Sequence, residues 1–89
     1  MALTALTRAR LRADVADALG EDPADIPEDE NLVDYGLDSV RLMSLLQRWR
    51  RDHADQAGEV AYADLAEEPA LERWAVLLGV PGAPGVPES

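Results

Sequence analysis

Eighty-nine residues without a cysteine make one small domain, close to the size at which a single core gives marginal stability, with no disulfide staple and no thiolate metal site. A formal net charge of −10 argues against nucleic acid and anionic membranes as partners, because both call for a basic surface. No apolar run is long enough to span a bilayer and the N-terminus lacks a signal-peptide core, so the expected setting is the cytoplasm.

From Thr4 to Leu19 the pattern is helical, with Leu11, Val15, Ala18 and Leu19 on one stripe and Gly20 placed to cap the end. Residues 21 to 38 hold eight acids and no base, and Pro23 and Pro27 break any helix there. So long an irregular connection inside a small domain signals either function or a wrong assignment of elements. Ile26, Leu32, Val33, Tyr35 and Leu37 are spaced as intermittent anchors, which predicts a loop pinned to the core.

A second helix is predicted from Ser39 to His53. Leu42, Leu45, Leu46 and Trp49 form its inner stripe, Asp38 is its N-cap, and Leu37 can staple onto Leu42. Arg48, Arg50 and Arg51 lie in its last turns, where cations suit the negative end of the helix dipole. Residues 52–58 read as a connection. Val60 to Ala66 reads as a helix of little more than one turn. A fourth helix starts with Pro69 in its first turn, carries Leu71, Trp74, Ala75 and Leu78 inward, and stops at Gly79 and Pro81. Residues 4–79 are expected to form the domain and 80–89 a disordered tail. The expected fold is all-α: a four-helix bundle with a long first loop and a short third helix.

Ser39 is the residue to which the pattern points. Nucleophilic catalysis needs a base within reach of the hydroxyl, yet the only histidine, His53, lies at the far end of the same helix, about 20 Å away at 1.5 Å per residue. All eight cations are arginines, so no lysine can substitute. No catalytic residue and no metal site is therefore expected. A helix start can instead hold a phosphate ester that another enzyme makes, since free N–H groups and the dipole favour an anion there. Asp38 beside it either caps the helix or helps a transferase hold its metal ion.

Val40, Met43 and Gln47 project from the second helix away from the inner stripe, beside Ser39. They suggest a small docking patch for partners, to which Tyr62 on the short helix can belong. Two placements are open for Val40, exposed or packed under the loop or short helix; Met43 is expected to be exposed. Tyr62 fits the patch and the core equally well.

Leu32-Val33-Asp34-Tyr35-Gly36-Leu37-Asp38-Ser39-Val40-Arg41, followed by Gln47-Arg48-Trp49-Arg50, closely resembles the aryl carrier domains of siderophore nonribosomal peptide synthetases, within the acyl and peptidyl carrier protein superfamily. The resemblance spans most of the chain. It implies a carrier-type four-helix bundle in which a phosphopantetheinyl transferase places 4'-phosphopantetheine from coenzyme A on Ser39. It further implies that an acyl-adenylating enzyme loads the arm's thiol with an aryl or heteroaryl acid. The thioester then passes to a downstream acyltransferase, condensation or modifying enzyme in nonribosomal peptide, siderophore or antibiotic biosynthesis. By resemblance, Val40, Met43 and Tyr62 match positions on the face that such partners touch. The expected molecule is a free-standing monomer. The competing readings are an acidic helical adaptor without a prosthetic group, and a carrier of fatty-acyl or polyketide chains, against which Trp49 and Trp74 crowd the interior.

Overall fold

A computed structural model describes residues 6–81 and residue 83, and all its regular elements are helical. Helix α1 spans Arg8–Leu19 and is started by Thr7, whose hydroxyl accepts the Arg10 N–H at 3.2 Å. The expected start at Thr4 lies outside the described residues. Gly20 ends α1 in the left-handed region at φ 70°. Leu11 and Val15 face inward as expected, but the stripe continues with Asp14 and Ala16; Ala18 and Leu19 are only partly buried.

Two short 3₁₀ turns, Pro23–Asp25 and Leu32–Tyr35, organise the long loop. Each is opened by a side-chain cap: the carboxylate of Asp22 takes the Ala24 N–H and the amide oxygen of Asn31 takes the Val33 N–H, both at 2.9 Å. Ile26, Leu32 and Leu37 are buried and anchor the loop as expected. Val33 departs from expectation at 56% exposed. A 3₁₀ turn has three residues per turn, so Leu32 and Tyr35 share one side and Val33 is carried outward. Backbone ties complete the pinning: the Leu32 N–H donates to the Pro69 carbonyl and the Glu72 N–H to the Glu28 carbonyl, each at 2.8 Å.

Helix α2, Ser39–Asp52, lies at the centre and packs against α1, the one-turn α3 (Ala54–Ala57) and α4 (Tyr62–Glu67). Its four inner residues, Leu42, Leu45, Leu46 and Trp49, are all buried. Helix α5, Leu71–Leu77, packs on α1 and α4. Pro69 does not enter it; the chain is still extended at Ala70, and Pro69 serves as the acceptor for the loop. The turn α3 was read as connection, so among the described residues five helices stand where four were expected. It is held by Gln56, whose side-chain oxygen accepts the Leu6 N–H at 2.7 Å while its amide donates to the carbonyls of Leu6 and Leu78 at 3.2 and 3.3 Å. Packing also continues beyond Gly79: Val80 and Ala83 are buried, and the Val80 N–H bonds the Ala75 carbonyl. The rest of the expected tail, Gly82 and residues 84–89, lies outside the described residues.

Trp49 and Trp74 meet in the core edge to face, with ring centroids 5.9 Å apart and planes at 74°. Both are fully buried, and each indole N–H is satisfied. That of Trp74 donates to the Leu65 carbonyl at 2.9 Å, and that of Trp49 to the carboxylate of Asp14 at 3.0 Å. This explains why an acid occupies the inner face of α1.

Candidate functional site

Ser39 is the first residue of α2 and its side chain is exposed. The local sequence dictates this. Gly36 takes φ 102°, a region that disfavours a Cβ, and so closes the Leu32–Tyr35 turn by donating to the carbonyls of Leu32 and Val33. Leu37 then drops into the core, and Asp38, with φ −131° and ψ 178°, caps the helix. The Asp38 carboxylate accepts the Arg41 N–H at 2.8 Å. That satisfies one of the orphan donors at the helix start and leaves the N–H groups of Ser39 and Val40 directed out of the helix end. An exposed hydroxyl beside such donors, at the positive end of a 14-residue helix, suits a phosphodiester. Of the two roles open to Asp38, capping is realised, while the carboxylate remains accessible from solvent.

Val40 is 77% exposed and Met43 38%, which decides the open placement of Val40 in favour of solvent and meets the expectation for Met43. Gln47 is exposed one turn further along the same stripe. Tyr62 is half-buried: it opens α4, which packs on α2, and rests against the core. Of the four residues expected beside Ser39, Val40, Met43 and Gln47 are thus exposed on α2 and Tyr62 is not; Val33, which the sequence had assigned to the interior, is exposed in the turn before α2.

Arg41 is the site residue that sequence reasoning missed. Its guanidinium donates from Nε to the Ala18 carbonyl at 3.0 Å, and from Nη1 to the Gly36 carbonyl at 3.0 Å and the Asp38 carboxylate at 3.2 Å. A signal was present: a cation in the first turn opposes the helix dipole and calls for acceptors nearby. A few residues upstream, Tyr35 donates its hydroxyl to Glu30. That hydrogen bond, followed by burial and the charges of Glu30, Asp34 and Asp29, holds its phenol above the ordinary range. Among the described residues no cluster of three or more acids and histidines is placed to hold a metal ion. No helix of the described residues is long and apolar enough to cross a membrane.

The family model described as "Phosphopantetheine attachment site" matches residues 9–56, more than half of the 89 residues. Similar proteins include the isochorismatase of Bacillus subtilis, 47% identical over 68 residues, which cover 76% of this chain and 20% of that protein. Enterobactin synthase component B of Escherichia coli K12 is 47% identical over 58 residues, 64% of this chain and 19% of the relative. The chain thus spans about a fifth of these two relatives. It spans far more of acyl carrier protein ScoB of Streptomyces coeruleorubidus, 38% identical over 73 residues, 82% of this chain and 81% of that one. No solved structure gives a significant match. The chain belongs to the phosphopantetheine attachment-site family of carrier domains, and its prosthetic group is covalent 4'-phosphopantetheine. The all-helical fold and the carrier role expected from the sequence agree with this membership.

Proposed function

We propose that Ser39 is the residue that takes the arm, and that this carrier is not itself a catalyst but holds an aryl or heteroaryl acyl group for other enzymes in the cytoplasm. The observation that carries the reading is the exposed hydroxyl at the first position of α2, between the fixed cap Asp38 and the outward Val40. A transferase supplies the base, because His53 closes the opposite end of α2. The Ser39 oxygen bonds to the phosphorus bearing the pantetheine, the pyrophosphate bond of coenzyme A breaks, adenosine 3',5'-bisphosphate leaves, and the serine proton passes to the transferase. Once attached, the arm supplies a thiol that carries the acyl group as a thioester.

Support for an aryl cargo comes from two directions. Isochorismatase, enterobactin synthase component B and a mycobacterial phenyloxazoline synthase are among the relatives. The Trp49–Trp74 pair fills the bundle interior where a long acyl chain would have to lie, which favours a cargo that stays outside. An acyl-adenylating enzyme loads the arm, and a downstream transferring, condensing or modifying enzyme unloads it, both meeting the α2 face of Val40, Met43 and Gln47 with Tyr62 at its edge.

The test is intact-mass measurement after incubation with coenzyme A and a broad-specificity phosphopantetheinyl transferase. The wild-type protein gains one phosphopantetheine, mapped to the peptide containing Ser39, and Ser39→Ala gains none. Modification of Ser39→Ala, or an unchanged wild-type mass, refutes the assignment and turns attention to an adaptor role for the same face.

A further inference from the structure

We infer that Arg41 is a positioning residue for modification of the carrier, holding the Asp38–Ser39 turn in the geometry that a transferase engages. The inference rests on Ser39 being the modified residue. Three pieces of chain converge on one guanidinium: the C-terminal end of α1 through Ala18, the left-handed turn through Gly36, and the helix cap through Asp38. The same residue's backbone N–H bonds the other oxygen of the Asp38 carboxylate. Asp38 is thus gripped at Oδ1 by the main chain of Arg41 and at Oδ2 by its side chain, which fixes the plane of the carboxylate next to the Ser39 hydroxyl.

The ion pair with Asp38 does not by itself account for this arrangement. The Arg41–Asp38 pair is about half exposed on both sides, and such pairs contribute little to folding. The cation also sits at the unfavourable end of the helix dipole. What the fork does supply is a fixed angle between the loop and α2, since a planar guanidinium can hold three acceptors at set directions and an ammonium cannot. Without it the transferase must order the turn itself on docking, and that cost falls on the carrier's KM more than on kcat.

The experiment measures phosphopantetheinylation kinetics for the wild type, Arg41→Ala, Arg41→Lys and, as a control for general loosening of the fold, Gln56→Ala. Arg41→Ala is expected to raise KM about tenfold with kcat within about twofold and folding cooperative at the assay temperature. Arg41→Lys keeps the charge, loses the fork, and stays near the alanine value. Gln56→Ala lowers thermal stability at least as much yet keeps the wild-type KM. An unchanged KM in Arg41→Ala overturns the inference, as does a lowered one, which would mean that the arginine merely repels a basic partner. Full rescue by lysine, or an equal rise in Gln56→Ala, overturns it too. A wild-type protein that is not modified at Ser39 overturns the Ser39 assignment instead, so the two failures are told apart.

Discussion

Removing the Asp14 carboxylate gives the sharpest test of how this small core is specified. Asp14 is 8% exposed and accepts the Trp49 indole N–H at 3.0 Å, while Trp49 is fully buried. In Asp14→Ala that N–H keeps no acceptor inside the bundle, which costs roughly 1–3 kcal/mol. The carboxylate also faces Arg48 at 3.7 Å and Arg10 at 3.9 Å. Those arginines are themselves solvated, so the two pairs add about 0–1 kcal/mol. The sum, about 1–4 kcal/mol, corresponds to a fall in Tm of roughly 5–30 °C for a domain of this size. Asp14→Asn keeps an oxygen acceptor and loses only the charge, so it is expected to cost about 1 kcal/mol. Thermal and urea melts followed by far-ultraviolet circular dichroism measure both. If Asp14→Ala costs less than Asp14→Asn, or if the two are equal, the hydrogen bond to Trp49 is not what keeps an acid inside.

Gln56→Ala removes three hydrogen bonds that tie α3 to Leu6 and Leu78, and a loss of about 1–2 kcal/mol in a urea melt is expected. A loss under about 0.5 kcal/mol would show that the clasp is dispensable. Tyr35 offers a pH test. Its phenol is held above its ordinary value chiefly by the hydrogen bond to Glu30, so the contribution of that bond is fully present below about pH 10 and is lost as pH rises through the folded-state value. In Tyr62→Phe, which leaves Tyr35 as the sole tyrosine, absorbance titration is expected to give a midpoint above about 10. Adding Glu30→Ala brings that midpoint down, and a midpoint unmoved by it would contradict the stated cause.

Helix α2 and its cap were legible from sequence because each depends on near neighbours. The Leu42–Leu45–Leu46–Trp49 period and the Asp38-Ser39 start need no knowledge of the rest of the chain. The loop anchors Ile26, Leu32 and Leu37 were legible for a similar reason, as isolated apolar residues in an acidic stretch. What escaped was decided at a distance. Asp14 reads as a surface acid until Trp49, 35 residues on, is known to donate to it. Arg41 reads as one more solvated cation until Ala18 and Gly36 are brought beside it. The one-turn α3 is too short to show a period, and its stability comes from Gln56 reaching Leu6, 50 residues away. Val33 was misplaced because a 3₁₀ turn has a phase that neither the helix nor the strand pattern describes.

The paired indoles also set what light can report about this protein. Both of its tryptophans lie wholly inside and touch each other, so neither samples the surface that visiting enzymes cover. Intrinsic emission should therefore register loss of the fold strongly and stay nearly silent when a partner lands on the outer side of α2. Docking is better followed with a dye placed on an engineered surface position.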